Sequence, residues 1–352
     1  MSEALKIFAK MFLVITVIFT VFLYIFAIIM GPVLVYLTPE GLSTSMLHLS
    51  ALPVWFFNQT ISIPLRLNIG ILFFVLFSTF TLCFITAWKL RENFHRVIKE
   101  SNVRPIGKLF SSCLFAMPIL NSMTLLAVIS LQTFQEAGGI PTGTPPLPGE
   151  PFLDFLDLSY AAFIEEVFFR VIPIGAFLII YMLIIKRNTT QFSLKLLFVS
   201  FLFPDIAKRM FGVKTVNTHG IKCGISIGEW GFLILTAVIF GFAHFNPGVS
   251  WEIGKITSAT TAGLALGLSY LLYGAQASII MHWFFNVYID TYSLVLEFYP
   301  IVSPFVYAIW ALSLILGLLG WLVTSILWFR KLIGAIYKRE NKTTPNLTIS
   351  PQ

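Results

Sequence analysis

Charge is scarce in this chain. Only 11% of its 352 residues are Asp, Glu, Lys or Arg, against roughly a quarter in soluble domains, while 57% are hydrophobic and the mean hydropathy is +0.87. That composition excludes a soluble globular domain and a disordered chain. Short alternating runs are missing too, which excludes a β-barrel. The apolar residues fall instead in blocks longer than the roughly 20 residues a helix needs to cross a bilayer. Cysteine is rare: Cys83, Cys113 and Cys223 are odd in number and scattered, and give neither a disulfide framework nor a zinc pattern. The predicted spans contain neither GxSxG nor HExxH, so serine-hydrolase and zincin readings have no anchor. The formal net charge of +7 is basic, but the lysines and arginines sit in particular loops, as membrane topology requires, and no nucleic-acid partner is expected.

What is present is an all-α, polytopic membrane protein with about eight spans, near residues 11–37, 65–88, 109–134, 157–185, 230–245, 258–273, 277–296 and 303–329. The first apolar stretch follows Lys6 and Lys10, exceeds the core of a cleavable signal and lacks a small-residue cleavage site, so it reads as a retained span. If the spans alternate, 20 of the 23 basic residues fall on one side: 2 before the first span, 6 in 89–108, 7 in 186–222 and 5 from Arg330 onward. The positive-inside rule then places both termini in the cytoplasm, in a multi-pass protein expected at the plasma membrane. Four units follow: three N-terminal spans (1–134), a Pro/Gly-rich external loop (135–156), a core (157–296), and a final span with a basic tail (297–352). The loop QEAGGIPTGTPPLPGEP reads as a flexible or extended connector, and FSLKLLFVSFLF within 192–229 as a helix lying on the cytoplasmic interface. Asn58-Gln-Thr is a glycosylation sequon on the expected outer side.

The stretch AAFIEEVFFRVIPIG, 161–175, breaks the apolar pattern with three charges. At 100° per residue Glu166 and Arg170 stand about 40° out of line and can pair, whereas Glu165 is about 140° from Arg170 and is left to face a cavity. Pro173 lacks the donor for the carbonyl of Phe169, so a bend is expected just beyond the charges. The plain reading of such a pair is a buried brace between spans, and an unpaired third ion in lipid calls for a use. FGFAHFNPG puts His244 near the end of the fifth span, one turn after Phe240. ASIIMHWFFNVYID spaces His282, Asn286 and Asp290 four apart in a polar stripe that faces protein or trapped water.

Taken in order, Glu165-Glu166-x-x-x-Arg170, Phe240-x-x-x-His244 and His282-x-x-x-Asn286, with GLALGLSYLLYGAQASIIMHWFFN, resemble the CAAX prenyl protease and bacteriocin-processing family of intramembrane glutamic endopeptidases. The likeness covers about 155–295. It implies a bundle of about eight helices around a water-filled intramembrane cavity, and peptide hydrolysis without a metal or other cofactor. It also implies roles: Glu165 activates a water, His244 orients or deprotonates it, His282 and Asn286 stabilise the oxyanion, and Glu166 and Arg170 support. The partner implied is a lipidated C-terminal peptide or a peptide leader in the bilayer. The chemistry is sound, since a carboxylate in an apolar cavity is a stronger base for water and pre-aimed donors stabilise an oxyanion. A zinc site on Glu165, His244 and His282, a proton-coupled transporter, and a non-catalytic scaffold or immunity protein of the same fold stand as alternatives.

One depth problem bears on the site. With full spans, Glu165 and His244 lie toward the outer half of the bilayer and His282 toward the inner half. The expected resolution is a shallow hairpin at YGAQA, since 256–289 carry no Asp, Glu, Lys or Arg, with Gly263-x-x-x-Gly267 packing its two helices together. A distance above about 10 Å between His282 and Glu165 would speak against the site.

Overall fold

The computed structural model describes residues 3–56, 59–185 and 194–343. The sequon residue Asn58, the first residues of the interfacial run and the end of the basic tail lie outside the described residues. Ten helices frame the fold: α1 (Glu3–Leu37), α2 (Ile69–Lys89), α3 (Cys113–Ala137), α4 (Pro151–Glu166), α5 (Ile172–Ile185), α6 (Ile227–Ala243), α7 (Ile253–Tyr273), α8 (Ala275–Trp283), α9 (Ile289–Phe298) and α10 (Ser303–Thr343). Single π-helical turns, Val167–Val171 and Phe284–Tyr288, splice α4 to α5 and α8 to α9. Among the described residues seven helical stretches are long and apolar enough to cross a membrane. The number is eight if α6 is joined to Val216–Gly224, from which it is bent by 71°. The chain is a multi-pass, all-α membrane protein.

Several boundaries differ from the sequence reading. α4 starts inside the Pro/Gly-rich stretch, because Pro151 takes the first helical turn, where its missing N–H costs nothing. α10 continues to Thr343, so the basic tail begins as helix. Between α1 and α2 the backbone forms an unanticipated antiparallel pair, Leu52–Phe56 with Gln59–Ile63. The run 192–203 gives a helix of nine residues, Leu194–Leu202, about 13 Å long and too short to cross.

Lipid offers apolar side chains no gain on burial, so the helices hold together by close packing and hydrogen bonds. α1 illustrates this. Val14, Val17, Val21 and Tyr24 are buried, while Phe8, Phe12, Ile15, Phe19 and Phe22 face outward. The Tyr24 ring lies 4.8 Å from Tyr288 and 5.6 Å from Trp283, and its hydroxyl accepts a hydrogen bond from Asn121 Nδ2 of α3 at 3.2 Å. The N-terminal helices therefore buttress the helix that carries His282.

The hairpin between α7 and α8 turns at Gly274, whose φ of 107° suits glycine alone. Residues 269–284 are all buried. Protein covers the turn: Tyr270 Oη donates to Phe201 O, Tyr273 Oη to Phe110 O, and Arg91 Nη1 to Leu272 O. The proposed role of Gly263 and Gly267 is corrected. A Cβ on Gly263 would meet Ala237 Cα at 3.1 Å, and one on Gly267 would meet Leu233 Cγ at 3.1 Å, both on α6. The small-residue stripe therefore lets α7 close on the helix of His244, not on α8.

Candidate active site

Glu165 and Glu166 end α4, immediately before a π turn in which the N–H of Ile172 reaches the carbonyl of Val167. Pro173, from which a bend was expected, stands just after this wide turn in α5. The two glutamates precede the turn in α4 and, as consecutive residues of a helix, face different directions. Glu166 is fully buried and its Oε1 accepts from Arg170 Nη1 at 2.8 Å, while the Glu165 side chain is 18% exposed.

The described contacts converge on Glu165 from two other helices. His244 caps the end of α6, and its Nε2 stands 3.9 Å from Glu165 Oε2. His282, on α8, brings its Nε2 to 3.7 Å from the same oxygen, well inside the limit set by the depth argument. The other nitrogen of each ring is held. His244 Nδ1 lies 2.8 Å from Phe240 O, and His282 Nδ1 lies 2.9 Å from Glu166 Oε1. A carbonyl and a carboxylate only accept, so both Nδ1 atoms carry hydrogen and the Nε2 atoms are left facing Glu165.

Phe240 is the shared wall of this group. Its ring centroid lies 4.5 Å from that of His244, 6.0 Å from that of His282 and 4.1 Å from the Arg170 guanidinium carbon. Arg170 Nε and Nη2 have no hydrogen-bond partner among the described residues, so the ring face supplies much of what a buried guanidinium otherwise lacks. Sequence reasoning placed Phe240 in the motif but assigned it nothing. The FxxxH spacing was the available signal, because i and i+4 share a helix face.

Among the described residues the Asn286 amide has its hydrogen bond to a carbonyl and not to Glu165. Asn286 sits in the second π turn and its Nδ2 donates to Leu158 O at 3.3 Å, on α4, the helix that also carries Glu165. The four-residue stripe of His282, Asn286 and Asp290 thus runs through a π turn, where α-helical spacing no longer applies.

Two anchoring features escaped the sequence reading. Lys208, in the basic segment, forms a buried ion pair with Glu229 at 2.8 Å and also donates to Gly224 O, fixing the start of α6. Glu229 and Ser226 form a capping box there, a signature legible as S-x-x-E ahead of an apolar run. Ser226 also lies in GISIG, 224–228, which fits the GxSxG spelling just outside the predicted span. A nucleophile elbow follows a strand, whereas here a helix precedes Ser226 and its hydroxyl accepts from Glu229 N at 3.2 Å. Among the described residues no group of three or more His, Cys, Asp and Glu is set to hold a metal ion. A cavity of about 170 Å³ lined by Arg91, Phe203, Asp205 and Tyr273 lies beside the Gly274 turn and contains none of the site residues.

Residues 150–288 match the family model described as Type II CAAX prenyl endopeptidase Rce1-like. The matched segment spans α4 through the second π turn and carries all seven motif residues, in agreement with the family resemblance, and it supports a CAAX-type protease role and a peptide substrate at the membrane. No curated protein and no solved structure matches the chain.

Proposed function

We propose that this protein is an intramembrane endopeptidase in which Glu165 activates a water molecule against a peptide carbonyl. The observation that carries the proposal is the convergence of two histidine Nε2 atoms on one oxygen of Glu165, at 3.7 and 3.9 Å. Those gaps are too long for direct hydrogen bonds and suit a water bonded to both sides. Glu165 takes a proton from this water as the hydroxide oxygen bonds the carbonyl carbon. His244 Nε2 accepts the other hydrogen of this water, and the tetrahedral oxyanion is met by the Asn286 amide, whose long bond to Leu158 O is easily exchanged, and by His282, which donates from Nε2 in its doubly protonated form. Glu165 then returns the proton to the leaving amine as the C–N bond breaks, and the carboxyl product forms. Glu166 fixes the His282 ring from behind, and Arg170 neutralises Glu166.

The substrate class that fits best is a lipidated C-terminal peptide presented from the bilayer, with both termini of the enzyme in the cytoplasm. The test is cleavage, by the purified protein in nanodiscs, of quenched C-terminal peptides with and without an isoprenoid. Wild type, Glu165→Gln and chelator-treated wild type are compared. Product lost in the variant and retained under chelator supports the glutamate mechanism. Product lost to chelator transfers the site to a metal, and no product from any peptide sinks the proposal.

A further inference from the structure

Lys255 is the one cation on the expected outer side of the core, in the first turn of α7. Its position is costly in two ways. A positive charge in the first turn opposes the helix dipole, and the side chain is half-buried in an apolar setting. No carboxylate pairs with it among the described residues. The nearby acids are engaged elsewhere: Glu252 Oε1 accepts from Gly248 N, and Glu136 binds the Thr142 hydroxyl. The ammonium rests instead on the Trp251 face, 3.5 Å from the ring centroid, a contact that fixes the cation without neutralising it.

The seat of the ammonium is tied to the site by the backbone: Asn246 N, two residues after His244, donates to Trp251 O at 2.9 Å, and the lysine charge is felt at Glu165 and His244. Its mount is rigid. The backbone of Gly143 bridges that of Trp251, Glu252 N donates to Thr142 O and Gly254 N to Pro141 O, so the segment expected as a flexible or extended connector straps the base of the lysine. A fixed cation with no ion-pair partner within 4.0 Å among the described residues, on the segment that follows His244, leaves room for an anion from outside the chain.

We infer that Lys255 binds the terminal carboxylate of the peptide substrate and so measures the distance from the chain end to the bond that Glu165 attacks. This rests on the endopeptidase reading above. A CAAX segment is the C-terminus of its protein, so any bond within it lies at most three residues, about 10 Å of extended chain, from a free carboxylate. An ammonium held near the base selects such ends and rejects internal loops, which have no charge to offer.

The experiment is equilibrium binding to the full-length protein in nanodiscs of one fluorescent prenylated peptide in two forms, free acid and C-terminal amide. Lys255→Met, which retains the unbranched apolar stem, and Lys255→Arg, which retains the charge, are compared with wild type. Wild type should bind the acid at least about tenfold more tightly than the amide. Lys255→Met should bring the acid down to the amide's affinity and leave the amide unchanged, and Lys255→Arg should preserve most of the preference. Equal affinity of wild type for both forms, loss of both forms in Lys255→Met, or no binding of either form overturns the assignment. Cleavage is scored separately: preference for the acid without any product rejects Glu165 as base and upholds Lys255 as the carboxylate receptor.

Discussion

His282 Nδ1 and Arg170 Nη1 meet on a single oxygen, Glu166 Oε1, at 2.9 and 2.8 Å. The second glutamate of the pair is thus the fixed point from which the first is framed. It holds the histidine whose other nitrogen faces Glu165, and it is itself held by an arginine covered by Phe240. The two adjacent carboxylates have different consequences when altered.

Glu165→Gln should leave the fold intact, because Glu165 makes no contact shorter than 3.7 Å to either histidine. Its thermal midpoint in detergent should match wild type while peptide cleavage falls by about 10² or more. Glu166→Gln should behave oppositely and destabilise the protein by about 3–5 kcal/mol, because it strands the buried Arg170 charge. Paired unfolding and cleavage measurements on the two variants decide this. A stable, inactive Glu166→Gln would contradict the structural role.

The all-α membrane class, the order of the spans and the pairing of Glu166 with Arg170 were legible because each follows from hydropathy or from 100° helical spacing. The meeting of His282 with Glu165 was legible only as a requirement, met by a hairpin whose turn is buried by Phe201, Phe110 and Arg91. What sequence could not supply was direction. Gly263 and Gly267 announce a close helix approach but not the partner, and it is α6. Nor do π turns show in a periodicity count that assumes 3.6 residues per turn, so the bond of the Asn286 amide to Leu158 O had no signal in the spacing. The Trp251 seat of Lys255 depends on a strap of Pro and Gly residues whose pairing has no periodic signal.

Gly263→Val should separate α7 from α6, since a Cβ there already meets Ala237 Cα, Cβ and O at 3.1–3.2 Å. The expected loss is about 1–3 kcal/mol of stability, with His244 drawn away from Glu165 and cleavage reduced. Gly263→Ala should be the milder member of the series. Unfolding in a fixed detergent, with cleavage on the same samples, tests the order Gly, Ala, Val; an unchanged Val variant would refute the close packing.

The segment between α2 and α3 supplies a pH prediction. Burial alone would push the Glu92 carboxyl up, but hydrogen bonds from Ser111 and Arg104 and the arginine charges outweigh it and hold it below its ordinary value of 4.5. Glu100 is also lowered, through its hydrogen bonds to Arg104 and Arg96. A carboxyl lowered by folding contributes stability that is present above the unfolded value and is lost as pH falls through the folded one. The thermal midpoint should therefore drop below about pH 4.5, and Arg104→Gln should weaken that acid dependence. An Arg104→Gln profile superimposable on wild type would remove these contacts as its source.

Asn286 gives the sharpest test of the reaction itself. Its amide bonds Leu158 O at 3.3 Å, a length at which little is lost on release. If the amide turns to the oxyanion, Asn286→Ala removes a donor needed only in the transition state, and kcat should fall by about 10²–10³ with KM nearly unchanged. If the amide serves only to fasten the second π turn to α4, Asn286→Ala should lower thermal stability and leave the kcat of the remaining folded protein near wild type. Single-turnover cleavage corrected for the folded fraction separates the two, and the second result would confine the chemistry to Glu165, His244 and His282.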